Sequence, residues 1–193
     1  TRMGGRWRSV GKAENRAGPS ATRHPARSFI QAHQPGTAAL VAAVVEAVGP
    51  SRRVLELFAG SGNFTFPLLE AGCTVTTVEV DAAAVEALKR AAEARGLAGA
   101  LSAKVGQARR LPGGRFDVAV IDPPRAGAKP ALLALDQLKL DRIVYVSCDP
   151  ATLSRDVALM AERGWRLAWA RPFDLFPHTG HVESLAVLER RTR

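Results

Sequence analysis

Apolar segments that predict buried strands alternate with segments that predict helices between residues 37 and 188. Strands that run parallel need crossover connections, most often helices, so this order indicates a mainly parallel sheet. We predict an α/β, Rossmann-like fold: a mainly parallel twisted sheet with helices on both faces and an antiparallel edge strand. The predicted strands are 53–58, 74–80, 101–105, 116–121, 143–146, 166–173 and 182–188, and the predicted helices are 37–48, 64–69, 82–95, 132–138 and 153–163.

The composition is that of a globular protein. The chain has 193 residues, which fits one domain, and it contains no apolar run near the ~20 residues that cross a bilayer. Its two cysteines, Cys73 and Cys148, form no pair at metal-ligand spacing, so we expect neither a metal nor an iron–sulfur cluster. We also expect a monomer and, without a secretory signal, a reducing, cytoplasmic location.

The net charge of +9 is concentrated at the start of the chain. Residues 1–28 carry seven basic residues and one acid, and they show no sustained periodicity. We predict that they form a basic flexible arm or linker ahead of a folded domain at 29–193. An Arg-rich, acid-poor start is also typical of a transit peptide, and that alternative stays open. The charge suits a polyanionic partner such as RNA.

A turn with two glycines, Gly60 and Gly62, follows the first predicted strand, and Glu79 closes the second. Glycines let the backbone bend sharply and approach a ligand. An acid about 20 residues further on is placed to accept hydrogen bonds from ribose hydroxyls. A dinucleotide site would show a third glycine where Phe64 or Thr65 stands. The pattern therefore favours S-adenosylmethionine over NAD.

The fourth strand ends in Asp122-Pro-Pro-Arg125. Two prolines fix the backbone and hold Asp122 at the sheet edge. Amino-group methyltransferases have a similar Asp-Pro-Pro followed by an aromatic residue that stacks on the flipped base. Arg125 takes that place here, which argues against methylation of an exocyclic nitrogen. A rigid surface turn is the alternative.

Cys148 stands between a buried strand and a predicted helix, at the edge where open α/β sheets bind their ligands. Asp149 and Thr152 are good residues for a helix start, and Pro150 suits the first turn. The positive end of such a helix would favour a thiolate at Cys148. The alternative is an inert, packed cysteine.

His178, His181 and Glu183 precede or open the last predicted strand. His181 and Glu183 are two residues apart, so their side chains share one face if the strand has begun. The alternative is a solvated acid preceded by histidines that only form hydrogen bonds.

Six segments, in their order along the chain, resemble the RNA uracil-5-methyltransferases, which form 5-methyluridine in transfer or ribosomal RNA. The resemblance covers about residues 27–189 and is carried by segments 29–31, 57–64, 78–80, 121–125, 144–153 and 176–183. It implies a class I methyltransferase fold, Cys148 as nucleophile and Glu183 as base, acting on a single-stranded or loop uridine. It also implies S-adenosylmethionine bound by Gln31, Phe58, Asn63, Glu79 and Asp122, beside the turn at Gly60.

The chain departs from that family at His33 and Asp149, where relatives usually have asparagine. Full-length relatives carry further domains before the glutamine motif that help grip RNA. We therefore expect a catalytic domain that is either excised or naturally minimal. Two other functions stay open: a cytosine-5 RNA methyltransferase with the same cysteine chemistry, and a non-catalytic remnant that binds cofactor or RNA. The choice between tRNA and rRNA also stays open.

Overall fold

The computed structural model describes residues 34–50, 52–175 and 182–191. The predicted arm at 1–28 and the residues Gln31, His33, His178 and His181 lie outside these ranges. The strands are β1 (Arg53–Leu57), β2 (Thr74–Glu79), β3 (Leu101–Val105), β4 (Val118–Ile121), β5 (Arg142–Ser147), β6 (Trp165–Phe173) and β7 (Glu183–Arg190). The α-helices are α1 (Gln34–Val48), α2 (Thr65–Glu70), α3 (Ala82–Ala94), α4 (Lys129–Leu135) and α5 (Pro150–Ala161), and a short 3-10 helix spans Ala98–Ala100. Across the described ranges, no helix is both long and apolar enough to cross a membrane.

The strands form one sheet in the order β3-β2-β1-β4-β5-β7-β6. Strands β1 to β5 pair in parallel, whereas β7 is antiparallel to both of its neighbours. The predicted fold class is confirmed, and the edge strand β6 pairs antiparallel with its neighbour β7. Strand β7 is buried over most of its length and lies inside the sheet, whereas the mostly exposed β6 forms the edge.

Side chains that alternate along the central strands divide the core into two layers. Val54, Val120 and Val144 belong to the layer that packs against α1, α2 and α3. Leu55 and Ile121 belong to the layer that packs against α4 and α5. The predicted helices on both faces are therefore confirmed.

A side-chain cap marks the start of α5, and a proline lies in the first turn of both α4 and α5. Asp149 accepts a hydrogen bond from the Thr152 amide at 2.8 Å, and α5 begins at Pro150, three residues before the predicted start. Helix α4 also begins three residues early, at Lys129, with Pro130 in its first turn. The predicted bounds followed the apolar residues and therefore began both helices late, although Asp149, Pro150 and Thr152 are already recognisable in the sequence as residues suited to the start of α5.

Candidate active site

The carboxyl ends of the parallel strands meet at one edge of the sheet. Leu57, Ile121 and Tyr145 are register partners, so the segments that follow β1, β4 and β5 lie side by side. The antiparallel β7 begins at this same edge with Glu183. The edge brings together all the predicted site residues in the described ranges: Phe58, Gly60, Asn63, Glu79, Asp122, Cys148 and Glu183.

The turn between β1 and α2 has a backbone that favours glycine. Phe58, Gly60 and Gly62 have positive φ values of 63°, 52° and 89°. A Cβ atom added at Gly62 would lie 2.5 Å from Leu88 Cδ2 and 2.9 Å from the Phe66 ring, so this part of the turn is also closely packed. The left-handed conformation of Phe58, which is costly for a large side chain, marks the turn as a candidate ligand site.

Glu79 ties the turn to the end of β2. Its carboxylate accepts hydrogen bonds from the amides of Gly60 at 2.9 Å, Val80 at 2.7 Å and Asp81 at 3.0 Å. A carboxylate offers about four acceptor positions, so capacity is left for a ligand donor. The acid predicted from its spacing therefore also has a structural role.

Glu56, which the sequence predictions missed, lies buried in β1 beneath this turn. The Thr65 hydroxyl donates to its Oε2 at 2.6 Å, whereas the buried Oε1 has no hydrogen-bond partner among the described residues. Burial, with smaller contributions from the charges of Asp122 and Glu79, raises the pKa of Glu56 to about 8. An acid inside the apolar segment 54–57 was the sequence signal for it.

Asp122 is half-buried directly after β4. Loss of solvation, followed by the nearby charge of Glu183, raises its pKa to about 7. Glu56, Glu79, Asp122 and Glu183 thus give this edge an acidic interior that suits a positively charged ligand.

Cys148 directly follows β5, and Glu183 opens β7, the strand beside β5. Ser147 of β5 pairs with Ser184 of β7, and the antiparallel register continued by one residue sets Cys148 opposite Glu183. Cys148 is half-buried, whereas Glu183 is buried. Arg125 completes this group, because its hydrogen-bonding capacity and its charge act to lower the pKa of the Cys148 thiol.

The electrostatics of Cys148 differ from the prediction. Burial and, next, the Glu183 charge raise the pKa of the Cys148 thiol, and the Arg125 hydrogen bond and charge oppose them only in part. We expected the start of α5 to favour the thiolate form of Cys148. The net pKa of the thiol is instead raised, so that expectation is wrong. Burial likewise raises the pKa of Glu183, which Arg125 lowers in part.

The sequence predictions also missed a group that holds Arg125. Thr152, Arg155 and Asp156 of α5 contact the turn that contains it. Asp156 follows Leu153 and precedes Met160 at helical spacing on a buried face, so an acid in an apolar stripe was the available signal. In the described ranges, no group of three or more His, Cys, Asp or Glu residues could hold a metal ion.

Family comparisons match most of the described chain. The family described as tRNA (Uracil-5-)-methyltransferase matches residues 106–191, and a general methyltransferase domain matches residues 54–126. The 23S rRNA (uracil(1939)-C(5))-methyltransferase of Dechloromonas aromatica is 44% identical over 147 residues, which are 72% of this chain and 34% of that protein. The Nitrosospira multiformis enzyme of the same name is 39% identical over 181 residues, 88% of this chain and 41% of that protein. The chain spans about a third of the length of most such relatives.

Solved structures agree with these matches. The Pyrococcus abyssi tRNA (uracil-54, C5)-methyltransferase, in complex with S-adenosyl-L-homocysteine, has a TM-score of 0.74 at 32% identity and covers 84% of this chain and 40% of that one. The ribosomal protein L11 methylase of Lactobacillus delbrueckii subsp. bulgaricus, at 18% identity, a TM-score of 0.63 and coverage of 81% and 79%, shares the fold alone. Together with the family match, the first of these structures and the curated relatives show that this chain belongs to the family of RNA uracil-5-methyltransferases.

Proposed function

We propose that this chain transfers a methyl group from S-adenosylmethionine to C5 of a uridine in RNA. The observation that carries the proposal is that Cys148, directly after β5, and Glu183, at the start of the neighbouring β7, lie at the sheet edge that also holds the glycine turn. The curated relatives, at 39–47% identity, are named as 23S rRNA enzymes, which favours rRNA as the substrate. The Pyrococcus abyssi enzyme, at 32% identity, makes tRNA the second candidate.

The residues at the β1–α2 turn fit S-adenosylmethionine. This cofactor carries a sulfonium and an ammonium group against one carboxylate, so an acidic pocket complements its charge. The unpartnered Oε1 of Glu56 and the raised pKa values of Glu56 and Asp122 support such a pocket. We propose that Gln31, Phe58, Gly60, Asn63, Glu79 and Asp122 contact the cofactor, which supplies the methyl group when bound.

Cys148 would act as a nucleophile on the uracil ring. C5 of uracil is too weak a nucleophile to attack a sulfonium methyl group unaided. When the Cys148 thiolate adds to C6, C5 becomes an enolate carbon that can accept the methyl group, so one difficult step is divided into easier ones. Glu183 would then remove the C5 proton, and the C6–S bond would break to release the cysteine.

The coupling between Cys148 and Glu183 suits this order of events. Each negative charge disfavours the other, so a thiolate is best formed while Glu183 is neutral. Bond formation at C6 moves the thiolate charge onto the uracil enolate, and methylation at C5 then removes it. Ionised Glu183 is then favoured at the step that needs a base, and the Arg125 charge supports it.

RNA binding is proposed from charge and from the chemistry. The net charge of +9 supplies affinity for phosphates, and the target uracil must leave its stack to reach Cys148. We propose a single-stranded or loop uridine as the target, a catalytic domain at residues 29–193 preceded by a basic arm, and action as a monomer in the cytoplasm. We further propose that, in a whole protein as long as these relatives, parts outside the segment that matches this chain help to grip the RNA.

Substitutions at the two side chains test the reaction. Glu183→Gln should permit attack and methylation but block proton removal, so a protein–RNA species that carries the labelled methyl group should accumulate on denaturing gels. Cys148→Ala should abolish both that species and methyl transfer. The substrates are 23S rRNA fragments and tRNA that lack 5-methyluridine. Nucleoside analysis of the product RNA then identifies the methylated base.

Matched variants control for folding. Glu189→Gln lies on the same strand and Cys73→Ala is the other cysteine, and both should keep activity. If Glu183→Gln turned over at the rate of the parent, Glu183 would not be the base. His178 or His181 would then be the next candidate. 5-Methylcytidine in the product would favour the cytosine-5 alternative, and cofactor binding without methyl transfer would favour a non-catalytic remnant.

A further inference from the structure

Asp156 is a fully buried carboxylate that the proposed chemistry does not use. Its Oδ2 accepts hydrogen bonds from the Tyr145 hydroxyl at 2.9 Å and the Ala128 amide at 2.8 Å. Its Oδ1 accepts from Arg155 Nε at 3.1 Å and Nη2 at 3.0 Å. A buried charge is costly unless it is paired and hydrogen-bonded. The bonds of Oδ2 reach β5 and the segment after β4, both of which lie beside Cys148, whereas those of Oδ1 go to the neighbouring Arg155.

The same helix holds three peptide groups of the β4–α4 turn (residues 122–128). The Thr152 hydroxyl donates to the Arg125 carbonyl at 3.1 Å, and Arg155 Nη2 donates to the Ala126 carbonyl at 3.0 Å. Asp156 accepts from the Ala128 amide. We call Tyr145, Thr152, Arg155 and Asp156 the α5 clamp.

Gly127 shows how closely the clamp and the turn fit. Its φ is 89°, and a Cβ atom there would lie 2.5 Å from Arg155 Nη2, 2.5 Å from Thr152 Cγ2 and 2.7 Å from Asp156 Oδ2. The turn therefore has no room to shift towards α5. The carbonyls of Arg125 and Ala126 also accept hydrogen bonds from α5, so the turn is restrained from moving away from the helix as well.

The clamp links Arg125 to Cys148 through one helix. Cys148 directly precedes Asp149, the N-cap of α5, whereas the clamp residues of α5 follow one to two turns later. Arg125 belongs to the clamped turn, which follows β4 beside the end of β5, and its charge acts to lower the pKa of both Cys148 and Glu183. An exposed arginine loses several rotatable bonds when it is held in this way, so a fixed backbone reduces that entropic cost.

We propose that Asp156 is a positioning residue: with Tyr145, Thr152 and Arg155 it holds the β4–α4 turn so that Arg125 stays against Cys148 and Glu183. This inference rests on the proposed function for its catalytic meaning. Its physical content, the effect of Asp156 on the Cys148 thiol through Arg125, can be measured without RNA or cofactor.

The test is the pH dependence of iodoacetamide alkylation at Cys148, followed by mass spectrometry of the full chain. Asp156→Asn and Tyr145→Phe should raise the pKa of the Cys148 thiol by roughly one unit, because the stabilising arginine is released. Methyl transfer at neutral pH should fall roughly tenfold in kcat, with the KM for cofactor unchanged.

A double-mutant cycle separates positioning from a general loss of structure. Arg125→Ala should raise the thiol pKa in the parent and add little in the Asp156→Asn background, since both changes remove the same interaction. Additive shifts would overturn the proposal, as would an unchanged thiol pKa in folded Asp156→Asn. Should Asp156→Asn not fold, Tyr145→Phe, which removes one hydroxyl, carries the same test.

Asp136→Asn is the matched control. Asp136 is also a mostly buried carboxylate paired with arginine, and it accepts from Trp165 Nε1 at 3.0 Å and Arg190 Nη1 at 3.0 Å, away from the β4–α4 turn. The Asp136→Asn variant should be less stable than the parent, but the pKa of its Cys148 thiol should be unchanged. A shift equal to that of Asp156→Asn would also overturn the proposal. A parent that forms no adduct with 5-fluorouridine RNA, yet shows the predicted thiol shifts, would contradict the proposed function and leave the positioning intact.

Discussion

Glu56 holds its proton at neutral pH because its carboxyl group is buried and only one of its oxygens has a partner among the described residues. The folded pKa is about 8, against 4.5 for the free side chain. Between these values the folded chain holds a proton that the unfolded chain has lost, so this residue lowers the unfolding free energy as pH rises. Such a cost is expected at a ligand site, where a bound cation would favour the ionised carboxylate.

Glu56→Gln should flatten the dependence of stability on pH. The parent should lose up to roughly 1.4 kcal/mol per pH unit through Glu56 between pH 5 and 8, whereas the variant lacks this contribution. Urea unfolding at several pH values measures the two slopes. Equal slopes would show that Glu56 is ionised in the folded protein.

Asp117→Asn provides a control of opposite sign. Hydrogen bonds from Arg53 hold the pKa of Asp117 at about 2, so its contribution is present above its ordinary pKa of 3.8 and is lost as pH falls towards 2. This variant should differ from the parent by a constant amount between pH 5 and 8. A pH-dependent difference in that range would point to a general change of structure.

At the scale of elements, the β1–α2 turn contains two glycines with different requirements. Gly60 and Gly62 both have positive φ, but an added Cβ would meet nothing within 4 Å at Gly60 and would meet Leu88 and Phe66 at Gly62. A larger residue at Gly60 would therefore meet only the backbone strain of its positive φ. At Gly62 the packing of the turn against α2 and α3 adds to it.

Gly62→Ala should destabilise the chain by about 1–3 kcal/mol more than Gly60→Ala, because overpacking adds to the left-handed strain that the two variants share. Chemical denaturation of both variants measures the difference. Calorimetry should also show weaker S-adenosylmethionine binding to Gly62→Ala, since the turn must move to admit the methyl group. Equal stabilities would mean that the neighbouring side chains of Leu88 and Phe66 yield easily.

At the scale of the whole molecule, charge should dominate RNA affinity. Log affinity should fall linearly with log salt as phosphate contacts release counterions. Deletion of residues 1–28, which carry seven basic residues, should reduce the slope by as much as about 4 to 5 and leave cofactor affinity unchanged. Filter binding at several salt concentrations measures it, and an unchanged slope would show that these residues make no phosphate contacts.

Local patterns were sufficient to predict the element types and the residues at the sheet edge. Strand–helix alternation, the Gly60–Gly62 turn, Asp122 before two prolines and Cys148 before α5 are all encoded within short segments. The segments that follow parallel strands lie at one edge of the sheet, so the sequence alone was enough to predict that these residues lie together. The role of each remains a proposal that substitution must test.

Only the tertiary structure decided the strand order and the electrostatics. The place of β7 inside the sheet depends on its pairing with β5, from which α5 and β6 separate it in sequence. The pKa of the Cys148 thiol depends on burial, Glu183 and Arg125, and the sequence suggested only the helix start nearby. The α5 clamp joins residues 28 positions apart in sequence, from Ala128 to Asp156. Local sequence determines propensity and capping, whereas desolvation and long-range hydrogen bonds exist only after the chain has packed.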